Sequence, residues 1–199
     1  MSRNWWGALC APIVSAVLVF STGPAWSGPA IAPPQMHDVF GFVGIPFERI
    51  NDPGAGLEHN LIVGLGYQQS LSRLDALMFG WEAGLAGRFG ERNSLEGWAG
   101  LFARYDIHLG DIRIAPALTF GLSAVTDTMA GGETDRVDDY GDGNGTLLFY
   151  LGPEVSVGLE SIPNVEVFAR LHHRSGAWGT LGEMHGGLDV MAFGVRSFF

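Results

Sequence analysis

Alternation with a period of two residues constrains this chain more than any other feature. Between residues 77 and 89 the odd positions Leu77, Phe79, Trp81, Ala83, Leu85 and Phe89 are apolar, while Glu82 and Arg88 fall on even positions. Successive side chains of a strand point to opposite faces, so the pattern predicts a strand with one greasy face and one charged face. The same dyad recurs in residues 61–68, 95–105, 112–123, 147–157, 165–174 and 191–199, and most weakly in 37–45, with Gly, Asp, Asn and Pro clusters between them. Eight such segments predict an all-β fold, an eight-stranded antiparallel barrel.

Two closed barrels compete for this pattern. A soluble barrel of the lipocalin sort turns its apolar face inward around a ligand, whereas a transmembrane β-barrel turns it outward to lipid and fills its lumen with charge. The second is favoured. Its charged face mixes Glu82, Glu96, Glu154 and Glu166 with Arg104, Arg113, Arg170 and Arg196, a set able to neutralise itself in a narrow lumen. That face is rich in glycine and has no lysine, as a crowded interior requires. Trp81, Phe89, Tyr105 and Phe149 sit near segment ends on the apolar face, where an interfacial girdle lies. Phe199 ends an alternating strand, which resembles the terminal aromatic signal of outer-membrane barrels. Only 16% of residues are charged while 47% are hydrophobic, against about 25% charged in an aqueous domain.

The first 27 residues read as a signal peptide, with Arg3 ahead of an apolar stretch over residues 7–21 and Ala25-Trp26-Ser27 at the cleavage region. That apolar core of roughly 15 residues is short of the ~20 a spanning helix needs. Residues 28–199 then form the outer-membrane β-barrel domain. Cys10 falls inside the leader, so the exported chain is expected to hold no disulfide. A net charge of -10 argues against nucleic acid as a partner, since no basic surface is available to meet phosphates.

Connection lengths orient the barrel. The first, third, fifth and seventh connections include the long acidic stretch 126–145, while the second, fourth and sixth are mostly tight, as at 107–110 and 161–164. Bacterial barrels keep short turns on the periplasmic side, which places both termini there and ends the seventh strand at the outer leaflet. Pro116 and Pro153 each remove a ladder donor on the outward parity, and local bulges or widened pairing are expected there.

The seventh segment carries one anomaly. Its lipid-facing parity reads Val165, Val167, Ala169, Leu171 and then His173 and Ser175. An imidazole and a hydroxyl two residues apart share one face, the arrangement by which a base activates a serine nucleophile. Folding the last hairpin back brings Asp189 to the same level as the acid that would orient the imidazole, with Glu183 as the alternative. Position alone also fits polar side chains meeting headgroups where a strand leaves the membrane.

The stretch His172-His173-Arg174-Ser175-Gly176, then Gly186-Gly187 and a final strand ending in Phe199, resembles the C-terminal region of the PagL-type lipid A 3-O-deacylases. The resemblance covers about the last thirty residues, and the rest agrees in strand count and length only. It implies an eight-stranded outer-membrane esterase that hydrolyses the ester-linked acyl chain at the 3 position of lipid A. Ser175 would be the nucleophile, His173 the general base and Asp189 the orienting carboxylate, with no metal or other cofactor. The family carries glutamate where this chain has Asp189. An asparagine often follows the family's serine, where Gly176 here offers only its backbone N–H to an oxyanion.

Other candidates are weaker. His172 and Arg174 have lumen parity, and Arg174 is expected in the interior charge network. His185, in the last outer loop, is positioned to meet a sugar or phosphate but equally to be a solvated loop histidine. The run Asp138-Asp139-Tyr140-Gly141-Asp142-Gly143-Asn144-Gly145 is oxygen-rich but lacks the first aspartate and distal glutamate of an EF-hand calcium loop. Lipopolysaccharide as substrate and the outer membrane as surroundings are the expected partners, and a homodimer stays open. The rival readings are a non-enzymatic barrel of the small adhesin or membrane-maintenance type, and a soluble periplasmic ligand-binding barrel.

Overall fold

The computed structural model describes residues 36–47, 60–90, 92–129, 133 and 143–199. The expected signal peptide, residues 1–27, lies outside the described residues. The strands are β1 (His37–Phe47), β2 (Leu61–Leu74), β3 (Leu77–Phe89), β4 (Ser94–Tyr105), β5 (Ile107–Leu109), β6 (Ile112–Val125), β7 (Leu147–Leu159), β8 (Ile162–Ser175) and β9 (Gly187–Phe198). After a break at Asp106, β5 continues β4 along β6 without a change of register, so the two count as one stave. All pairings are antiparallel, β1 pairs with β9, and β4 pairs back on β6. The eight staves therefore close. Closure satisfies every sheet edge, which matters because an unpaired backbone group in hydrocarbon costs several kcal/mol.

Burial sorts by parity. Leu65, Leu85, Leu101 and Phe193 stand exposed on the outer wall, while Glu82, Glu154, Arg170 and Arg196 are buried in the lumen. The soluble barrel, with its greasy face inward, is overturned by this sorting, because a lumen lined by ion pairs leaves no apolar cavity for a ligand. β1 has 11 residues and β2 has 14, enough for the ~9–11 that a tilted strand needs to cross a bilayer.

Charges inside such a lumen are stable only when paired, since each unpaired one costs several kcal/mol. Arg196 joins Glu154 at 2.8 Å and Asp38 at 3.0 Å, and Arg104 and Arg113 both reach Glu166, at 2.5 and 2.8 Å. A packed aromatic layer of Phe40, Phe42, Trp98, Tyr150 and Phe168 adjoins these pairs. Lumen-facing glycine makes room for it: a Cβ at Gly66 would lie 2.1 Å from the Phe40 ring, and one at Gly84 would lie 2.2 Å from Trp98.

Both prolines interrupt one ladder without shifting it. The β7–β8 pairing runs through Leu151↔His173 and resumes at Glu154↔Arg170, leaving Gly152 and Pro153 unpaired on that side. Pro116 sits at the matching gap where β4 gives way to β5. Pairing is therefore widened at both prolines. The register shifts lie elsewhere, at Ser70/Ser72 and Gly158/Leu159.

Two connections differ from expectation. Residues 107–109 are strand, and the turn is Gly110–Asp111, where Gly110 supplies the positive φ of 61°. The sixth turn falls at 160–161, so β8 begins at Ile162 rather than after Asn164. At the first, Ile107 and Leu109 continue the apolar dyad past Tyr105; at the second, Ile162 pairs with Leu159 across the register shift. The short turns 75–76, 110–111 and 160–161 share one end of the barrel with both ends of the described chain, where His37 and Phe199 exchange backbone hydrogen bonds of 3.3 and 2.9 Å.

Candidate active site

β8 delivers His173 and Ser175 to the outer wall because its pleat is intact to its last residue. Leu171, His173 and Ser175 are partly exposed, whereas His172 and Arg174 between them are fully buried. The greasy side of the sheet and the imidazole–hydroxyl pair thus share one face.

β9 supplies the acid. His173 stands directly opposite Asp189 in the β8–β9 ladder, and its Nδ1 lies 2.6 Å from Asp189 Oδ1. A carboxylate on Nδ1 favours the tautomer protonated there, which leaves Nε2 as the basic atom. Glu183, the alternative acid, sits exposed at φ +58° in the loop between the two strands. Asp189 is the carboxylate that reaches the ring.

Ser175 stands opposite Gly187, whose lack of a side chain leaves the hydroxyl uncovered on that side. Its Oγ makes no hydrogen bond with His173 among the described residues, so the structure brings His173 and Asp189 together and sets Ser175 beside them on the same face. β7 completes the surroundings, with Leu151 beside His173 and Phe149 beside Ser175. Phe149 stacks on Phe120 at 6.0 Å between ring centroids. These flanking side chains extend an apolar platform up to the polar group. The sequence marks Phe149 only as part of a girdle, because the register of β7 on β8 depends on the turn at 160–161 and the shift at Gly158/Leu159.

The loop after Ser175 is tied to itself. Gly176 N–H donates to Gly186 O at 3.3 Å, and Gly176 O accepts from Leu181 N–H at 3.0 Å. An oxyanion drawn to the Gly176 N–H therefore has to displace one long bond. Ala177 and Trp178 follow at φ +48° and +58°, left-handed conformations rare outside glycine, and their N–H groups have no backbone partner among the described residues. Trp178 is 77% exposed. His185 is exposed and packs beside Gly179, where an added Cβ would lie 3.1 Å from its ring.

Arg174 belongs to the interior network, as its parity requires. Its partners include Ser123 at 2.8 Å and Glu133, a fully buried residue of the 126–146 connection. Glu133 was missed because no periodic pattern marks a loop side chain that folds into a lumen. Residues 138–142 of the acidic run lie outside the described residues.

No protein-family model matches the chain, and no curated protein matches it. Solved structures do. The chain is similar to the outer membrane enzyme PagL, with 19% identity and a TM-score of 0.55 over 80% of this chain and 98% of that one. It is similar to Neisserial surface protein A, with 14% identity and a TM-score of 0.53 over 84% and 99%. A de novo designed transmembrane β-barrel matches with 14% identity and a TM-score of 0.50 over 84% and 98%. At these identities the likeness is one of fold, and the fold is that of the small outer-membrane barrels.

Proposed function

We propose that this chain is an outer-membrane serine esterase that removes the ester-linked acyl chain at the 3 position of lipid A. The observation that carries the reading is the His173–Asp189 hydrogen bond of 2.6 Å on the lipid-facing wall, with Ser175 two residues along the same face. A polar trio set in an apolar wall suits an ester that lies at the boundary between headgroup and hydrocarbon. The resemblance of the stretch from His172 to Gly176 to the deacylase family supports the same chemistry. So does the end of β8, which lies away from the short turns and from the His37–Phe199 pairing and thus, by the usual orientation, at the outer leaflet.

In the proposed reaction His173 Nε2 takes the Ser175 proton as Oγ attacks the ester carbonyl, while Asp189 holds the imidazolium that forms. The oxyanion is met by loop N–H groups, those of Ala177 and Trp178 together with that of Gly176. Collapse breaks the bond to the sugar oxygen, which leaves with the proton from His173. Water, deprotonated by the same imidazole, then hydrolyses the acyl-enzyme and releases a fatty acid.

The missing hydrogen bond between Ser175 and His173 favours one rival, a barrel of the same build whose triad is catalytically degenerate. Lipid A mass decides between them. Expressed in a lipopolysaccharide-bearing host, the folded protein is expected to lower the lipid A mass by one acyl chain, and Ser175→Ala is expected to leave it unchanged. An unaltered lipid A mass beside correctly folded wild-type protein, shown by heat-modifiable migration, would overturn the deacylase reading.

A further inference from the structure

Residues 172 and 174 interleave the candidate dyad, and both are clamped across the lumen. His172 Nε2 lies 2.7 Å from Glu96 Oε1 on β4, and its ring packs 4.7 Å from Tyr150 and edge-on to Trp98 at 5.3 Å. Arg174 donates from Nε to Ser123 Oγ on β6 at 2.8 Å and from Nη2 to Gly145 O at 3.0 Å, and its Nη1 bonds Glu133. Glu96 also accepts from Ser123 at 2.6 Å. Glu133 also pairs with Arg88 on β3 at 2.6 Å. Every one of these side chains is buried.

This concentration stands at the C-terminal end of β8, whose pairing with β9 runs unbroken to Ser175↔Gly187. One ladder bonding β8 to its neighbour opens at Gly152–Pro153, immediately before His173, and β8 ends at Ser175. Local opening begins at the ends of elements, and inward side chains anchored across the lumen oppose it. Here they are anchored to β3, β4, β6 and the 126–146 connection together.

We propose that Arg174, held by Glu133 and Ser123, is the positioning residue for the deacylase dyad, fixing from inside the lumen the backbone that carries His173 and Ser175 on the outside. The inference rests on the esterase reading for its kinetic consequence and on the structure alone for its geometric one. Glu133 acts through Arg174 and touches no substrate. Its conversion to an amide keeps the shape of the side chain and removes the charge that orients the guanidinium. A displacement near 1 Å at a reacting group costs on the order of 100-fold in rate.

The test uses the refolded full barrel in detergent micelles, with lipopolysaccharide as substrate and 15N-histidine spectra recorded in parallel. Glu133→Gln is expected to lower kcat by about 10- to 100-fold with KM within about twofold, and Glu133→Asp to restore most of the loss. In the spectra, the wild type is expected to show a single tautomer of His173 and Glu133→Gln to show exchange. Where Glu133→Gln does not fold, Ser123→Ala removes the other anchor and is read by the same two measurements. Unchanged kcat in a folded variant overturns the positioning role. Should wild-type protein prove inactive on lipopolysaccharide, the esterase reading fails, and the His173 spectra alone decide whether the luminal clamp orders the site. An unaltered tautomer signal in the variant would then overturn the inference.

Discussion

Arg170 on β8 spans the lumen to Glu82 on β3, donating to its two carboxylate oxygens at 2.7 and 2.9 Å. Glu82 also accepts from Gln68, Trp98 and Thr119, and Arg170 also binds Glu154, so the pair is the hub of the interior. Removing one partner leaves buried charge uncompensated, which costs about 3–5 kcal/mol. Arg170→Met is therefore expected to destabilise the barrel by about that amount, because Glu82 loses its cation and Glu154 keeps only Arg196. Denaturant unfolding in lipid vesicles measures it, and a loss below about 1 kcal/mol would mean that the network contributes little.

The outer wall makes the opposite demand. Phe193 lies midway along β9 and is 62% exposed, a position that in water would tolerate arginine within about 0.5 kcal/mol. Near the midplane of a bilayer the same substitution costs about 2–4 kcal/mol. Phe193→Arg is expected to show the larger penalty when unfolding is followed in vesicles. A neutral result there would argue that this face does not meet hydrocarbon.

The faces of this barrel were legible because parity is a local property. Leu171, His173 and Ser175 could be assigned to one face without knowing what lies beside them, and Asp189 follows from counting back along the last hairpin. Glu133 and the ladder gap at Pro153 were not legible to the same degree. Glu133 reaches Arg88 and Arg174 from a connection with no periodicity, and its destination depends on a lumen that exists only after closure. Pro153 announces a missing donor, but whether a strand answers by bulging or by opening depends on its neighbours. Phe149 became part of the site only through β7–β8 pairing. Side-chain direction is written in the sequence, whereas lateral neighbours are set by the fold.

Gly187 offers a test of how closely β9 must approach the candidate nucleophile. A Cβ there would lie 2.1 Å from Arg174 O and 3.0 Å from Ser175 Cβ, and a backbone oxygen cannot yield as a flexible side chain does. Gly187→Ala is expected to cost about 1–3 kcal/mol by overpacking and to lower esterase turnover by about 100-fold through displacement of Ser175. Folding is checked by heat-modifiable migration and turnover by released fatty acid. Full activity in the folded variant would show that the Ser175–Gly187 contact does not set the reacting geometry.

The acid makes the sharpest prediction, because its bond to His173 can be weakened without disturbing the barrel. Asp189 lies on the outer wall at the β8–β9 hairpin, and both it and His173 are partly exposed, so an amide there leaves no buried charge behind. Asparagine keeps the length of the side chain, yet it removes the charge that stabilises an imidazolium and can turn its NH2 group toward Nδ1, which selects the wrong tautomer. In a serine triad that exchange lowers turnover on the order of 10⁴-fold. Asp189→Asn is therefore expected to fold and unfold like the wild type while its kcat falls by about three to four orders of magnitude. Asp189→Glu extends the arm from a position already at 2.6 Å and is expected to retain part of the activity by repacking against Phe47, its partner on β1. If Asp189→Asn kept wild-type turnover, the His173–Asp189 bond would be a feature of the membrane interface and the orienting acid would have to be sought elsewhere, with Glu183 the first to examine.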